Sequence, residues 1–386
     1  MTYSFKNSVH ALLLLALGAC ARGEVATSDV VRADSAGVRI VTSTASDREL
    51  AWRLEEIDVF RDTLGEPWIF ESLTPQRAVT DRAGRTYVLT REPSIARFGR
   101  DGRYERSFGR KGGAPGEMQF AVALLVQGDS LAVLDPVRGA LVRFDPELQP
   151  IADIPLRDRL ADVSAIAFRQ GGLWVQRSTF AGGRTALALF SDTLATVPML
   201  SVLQPPTAGV AGCGGRLRIS LPPLFAPEII WVAERGRLLA NVGPRYELLL
   251  YEGPRLLASV RRDLPMRAPT EDDVRRLYPE GLRVATASIG NCVFETAALI
   301  KAPGLAAEFP HVHGLAFLSD GTIWVQRTLR DETPSVLDVF GSDGAYVGTV
   351  RGLRLPLALL PNGELLVPRE DEDSGGQLLV RMRVVR

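Results

Sequence analysis

Lysine is nearly absent. The chain has three, Lys6, Lys111 and Lys301, in 386 residues, so arginine carries the positive charge. The arginines are spread along the whole chain, as a GC-rich genome would leave them. The 45 basic residues meet 45 acidic ones. There is thus no basic excess of the kind a nucleic-acid binder shows, and nucleic acid is not an expected partner. Histidine is as scarce, with only His311 and His313 beyond the N-terminal His10. No G-x-S-x-G, H-E-x-x-H or Walker pattern occurs, which removes the common hydrolase, zinc-protease and nucleotide signatures. The stretch "RKGGAPGE" is glycine-rich but follows a strand and precedes no P-loop lysine, so it reads as turn chemistry. No long amphipathic helix stands out. The apolar run Val9–Leu17 is too short to span a bilayer.

That run has the length of a signal h-region behind the basic Lys6. It ends in Leu17-Gly18-Ala19-Cys20, which resembles the lipobox of bacterial lipoproteins. The resemblance implies residues 1–19 as signal peptide, lipidation at Cys20, and a membrane as partner through the lipid. An ordinary secretory signal with an incidental cysteine is the alternative. No aspartate follows Cys20. In this class that favours the outer membrane, facing the periplasm or the cell surface. Residues 20–36 read as a tether. The other cysteines, Cys213 and Cys292, stand outside any C-x-x-C pattern. In an oxidising compartment they are expected to pair with each other.

What is abundant is alternation of apolar and polar residues broken by tight turns. "AVTDRAGRTYVLTR", "LLVQGDSLAVLDP", "AIAFRQGGLWVQRS", "LAFLSDGTIWVQRT" and "LALLPNGELLVPRE" are five copies of one strand–turn–strand phrase. Asn362-Gly363 is a strong hairpin turn. A second hairpin follows the copies. The unit is therefore four antiparallel strands at a spacing of about 40 residues, in the propeller range. "EIIWVAERGRLLANVGPRYELLLYEG" is a divergent copy. The expected fold is all-β: a six-bladed β-propeller over residues 37–386, with seven blades as the alternative. The final blade lacks a strand, which "GVRIV" (37–41) could supply and so close the ring. An insertion at 264–310 is expected to hold a short helix capped by Thr270 and stopped by Pro279. A disulfide from Cys213 to Cys292 would staple two connections flanking the divergent blade.

"FGRKGGAPGEMQF" (108–120) resembles the inter-blade signature of NHL-repeat propellers, with Phe120 as its aromatic end. "DSAGVRIVTS" before Trp52 resembles exported six-bladed propellers of soil bacteria. Both resemblances imply a fold and no reaction. The acidic and asparagine set of the lactonase-type propellers has no counterpart here, nor do copper or quinone signatures.

The doubled phrase Trp-Val-Gln-Arg places Gln176, Arg177, Gln326 and Arg327 where second strands leave the sheet. Arg91, Arg138 and Arg369 occupy similar places. Together they form a candidate ligand-binding rim for an anion, unless acidic loop residues neutralise it. Trp174 and Trp324 read as packing between blades. His311 and His313, two apart, share a face if extended and make a candidate metal pair. No third ligand, no catalytic residue and no cofactor is expected. Two functions follow. One is a binding module at the cell envelope for a protein, peptide or glycan. The other is a metal-assisted hydrolase or lyase at the channel mouth.

Overall fold

The alternating stretches fold into antiparallel meanders. The computed structural model describes residues 29–385, apart from 71–72, 91–92, 128–129, 157–162, 170–171, 180–183, 192–195, 204, 235, 287–289, 319, 329–334 and 361. The first blade runs Ala78–Thr80, Thr86–Leu89, Ile95–Phe98, Tyr104–Phe108. The second runs Ala123–Gln127, Ser130–Asp135, Ala140–Phe144, Pro150–Pro155. A third holds Val163–Arg169 to Thr196–Leu203, and another Val312–Phe317 to Tyr346–Arg351. A closing blade combines Ala358–Leu359, Leu365–Glu370 and Gln377–Val385 with Arg53–Val59. The remaining large sheet is wide: the meander from Ile229–Glu234 to Arg255–Arg262 is extended by Val38–Ser43 and then Val30–Ser35.

The fold is an all-β propeller, but six like blades were expected and five sheets follow the plain four-strand path. Nor is there a seventh among the described residues, because those of 205–228, 263–286 and 290–311 form hairpins and short helices instead. The first strands of neighbouring sheets meet one another around the ring, and the cores lie between the sheets. Tyr246 and Leu250 of the wide sheet pack on Val325 and Phe340. Trp324 and Val339 pack on Leu365 and Val367 of the closing blade, so the packing role expected of Trp324 is met. Phe98 packs on Leu366 and Leu379. Tyr87 packs on Val133 and Phe144. Period-2 alternation explains this arrangement: successive residues of one strand face opposite neighbours.

The N-terminus departs from expectation twice. "GVRIV" does not close the ring. It lies in Val38–Ser43, which adds in parallel to Arg255–Arg262. The closing strand is Arg53–Val59, antiparallel to Gln377–Val385. The tether expected through residue 36 also ends early, since Val30–Ser35 is already a strand. Ala36 and Gly37 have φ of 53° and 77°. This is the positive-φ pair that a tight two-residue hairpin turn needs.

The two long connections build a small module beside the wide sheet. Hairpins Ala208–Gly212/Leu217–Leu221 and Leu282–Thr286/Gly290–Phe294 join helices α1 (Glu271–Leu277) and α2 (Thr296–Lys301). Val210, Cys292, Phe294 and Leu299 form its core. Cys213 and Cys292 are disulfide-bonded, with Cα atoms 5.5 Å apart. The expected helix is present. Thr270 and Asp273 cap it reciprocally, as a capping box does. Asp273 also takes two 2.7 Å bonds from Arg267. Burial alone would raise its carboxyl, but the bonds from Arg267 and Thr270 hold it well below the usual range.

Candidate functional site

In a four-strand meander the second-to-third turn and the exit from the fourth strand lie at the same end. The disulfide-bonded module, the segment 109–122 and the turn 136–139 therefore share one rim face. The expected arginine rim belongs to this face, and its described members are already engaged. Arg138 bonds to Asp153 at 2.7 Å, to the Ala114 carbonyl at 3.0 Å and to the Glu117 carbonyl. Arg369 pairs with Glu56. Gln326 reaches the Ser335 hydroxyl at 3.3 Å. Arg91 and the side chains of Trp174, Gln176 and Arg177 lie outside what is described; the backbone pairs Arg177 with Val163, as it pairs Arg327 with Val312.

Arg327 enters a charged knot between the wide sheet and its neighbour. Along Val336–Phe340, Leu337 and Val339 face the closing blade, so Asp338 faces the wide sheet. Asp338 is fully buried. It accepts from Arg327 at 2.7 and 2.8 Å, Arg262 at 3.0 Å, Tyr246 at 2.8 Å and Thr349 at 2.6 Å. Arg262 is also fully buried, lies 3.9 Å over the Tyr346 ring and reaches Asp47 at 2.8 Å. Asp47 in turn receives Arg327 at 2.6 Å. Buried Arg262 thus faces buried Asp338, while Arg327 bridges Asp338 to the exposed Asp47, which Arg351 also approaches at 3.8 Å. Burial by itself would raise Asp47, but the bonds from Arg327 and Arg262 bring it down to about 2. The same carboxylates raise Arg327 against its burial. Burial, then the charge of Asp338, pushes the Tyr246 phenol well up. The work of this knot is to hold three segments together. The sequence signal was Asp338 itself, a carboxylate inside the apolar strand "VLDVF".

A second buried carboxylate shapes the exposed part of the face. Asp135 accepts from the backbone N–H groups of Gln119, Phe120 and Arg138 at 2.5–3.2 Å. Glu117 fixes the preceding turn by bonding to Arg110 at 2.7 Å and to the Ala114 N–H at 2.9 Å. The result is a fixed loop whose apolar side chains point out: Phe120 is 59% exposed and Val137 62%. The aromatic end of the glycine-rich signature is therefore on the surface rather than in the core. Lys111 and Gln119 are exposed beside it.

The histidines separate. His311 is buried and His313 exposed, because the register shifts between Val312 and Gly314 and breaks the shared face. Among the described residues no group of three or more His, Cys, Asp or Glu could hold a metal.

No protein-family model matches the chain, and no curated protein matches it. Solved structures do. A protein from Bacteroides fragilis, described provisionally as exported, aligns with a TM-score of 0.53 at 8% identity, covering 90% of this chain and all of the other. A DUF4221-family member from Bacteroides vulgatus aligns at 0.47 and 8%, covering 87% and 99%. A regucalcin from Agrobacterium tumefaciens aligns at 0.38 and 13%, covering 82% and 92%. At such identities the first likeness carries the fold alone, and the other two carry no argument.

Proposed function

We propose that this chain is an exported binding module of the bacterial cell envelope, anchored by lipid at Cys20, which holds a protein, peptide or glycan on the rim face. One observation carries the reading: Phe120 and Val137 are held outward from buried Asp135. Rigid, exposed apolar groups beside polar ones suit recognition, because ordering them costs little entropy on binding. The disulfide supports export, since such bonds persist in oxidising compartments. The wide sheet lies between the third blade and the blade at 312–351, and the glycine-rich connection resembles that of NHL-repeat propellers. Arg138, Arg327 and Arg369 are taken up by Asp153, Asp338 and Glu56, so an anionic ligand of the rim would draw on the remaining expected members, Arg91, Gln176, Arg177 and Gln326.

The test is binding to isolated envelopes by the purified Cys20→Ala chain. Replacing Phe120 and Val137 together by serine should weaken binding by roughly tenfold, the effect of losing one to two kcal/mol of apolar contact. Unchanged binding removes the rim loop as the site.

A further inference from the structure

We propose that the strand Val30–Ser35 is a docking edge for a second copy of this chain. It ends the wide sheet, and among the described residues no strand covers its far side. All of it beyond Val30 is exposed, so it stands clear as a ribbon. From Val31 on, an edge of this kind is a template for strand addition.

The backbone phase says which groups are offered. Thr44 donates to the Asp29 carbonyl at 3.0 Å, which makes Asp29–Thr44 a hydrogen-bonded pair in the register that continues to Val30↔Ser43 and Ser35↔Val38. Hydrogen-bonded and non-bonded pairs alternate. Residues 31, 33 and 35 therefore bond inward, while Arg32 and Asp34 turn their N–H and C=O groups outward. An antiparallel copy must pair outward residues with outward residues. With a two-fold at Ala33, Arg32 lies opposite Asp34 of the second copy, and Asp34 opposite its Arg32. Slipping the register either way by one allowed step puts Arg32 opposite Arg32, or Asp34 opposite Asp34. Like charges directly opposite are unfavourable, and opposite charges favourable. The edge thus selects one isologous register, as a two-fold dimer requires. Arg32 already pairs with Asp343 at 2.7 Å and both side chains are half exposed, so the partner's Asp34 would join a charge pair that is in place.

Cross-linking tests this with the Cys20→Ala chain, whose remaining native cysteines are bonded to each other. Ala33→Cys lies on the two-fold at a non-bonded pair, where the Cα atoms approach to about 4.5 Å, and should give a disulfide-linked dimer under mild oxidation. Val31→Cys faces Ser35 of the other copy and should give none. Adding Arg32→Asp to Ala33→Cys should lower dimer yield by roughly tenfold, two pairs having turned repulsive. Adding Asp34→Arg as well should restore it. The Asp343 pair is lost in both variants, so restoration cannot come from that pair. No dimer from Ala33→Cys, equal dimer from Val31→Cys, or no restoration by the double reversal would each overturn the proposal.

Discussion

Single residues decide how the ring is tied. Asp338 satisfies two arginines, a tyrosine and a threonine at once. Removing its charge leaves fully buried Arg262 with Asp47 alone as counter-charge. Asp338→Asn should therefore cost about 3–5 kcal/mol, the usual effect of breaking a buried pair from one side, read from urea unfolding. Asp47 gives a pH signature. Its folded pKa lies near 2, below the ordinary 3.8. Its contribution is thus complete above about pH 4 and is lost as pH falls through 2. Asp47→Asn should flatten the acid limb of the stability–pH profile between those values, while Asp273, shifted in the same direction, keeps a share of it. An unchanged acid limb would contradict the role given to Asp47. Of these residues, Asp338 was visible as a charge among apolar neighbours. Arg262 and Asp47 were not. Arg262 reaches Asp338 across 76 residues and Asp47 meets Arg327 across 280, and no local pattern encodes such a meeting.

Elements were more legible than their partners. The turn phrases marked the strands of the first, second and closing blades, and Thr270 marked the start of α1. The destination of an isolated strand was hidden. "GVRIV" alternates and was expected to close the ring, whereas the apolar residues of Arg53–Val59, Leu54, Ile57 and Val59, straddle a register shift and mark no strand. The Ala36-Gly37 turn decides, because it folds the first back on Val30–Ser35 as a hairpin and leaves Arg53–Val59 to meet the C-terminus. The disulfide was predictable because Cys213 and Cys292 are the two cysteines beyond the N-terminal Cys20. It spans 79 residues, so its removal should loosen the module by about 4–5 kcal/mol in the chain-entropy model. Reduction should therefore raise amide exchange in Leu282–Thr286 and Gly290–Phe294 well before it does so in the blades. Equal exchange across both would mean the bond ties nothing together.

At the scale of the molecule, the propeller supplies the frame that carries the loop of Phe120 and Val137 on one face. The fold followed from composition and repeat. The exposed loop did not, because the carboxylate that holds the Phe120 N–H, Asp135, lies 15 residues further on. The central claim is that this face takes the ligand in the envelope. The most direct measurement puts a photo-cross-linking residue at position 120 in cells and, as control, at Arg82, exposed in a turn at the opposite end of the first blade. The account predicts a discrete adduct from position 120 that excess purified Cys20→Ala chain competes away, and none from position 82. Adducts of equal yield at both positions, or none at 120, would contradict it.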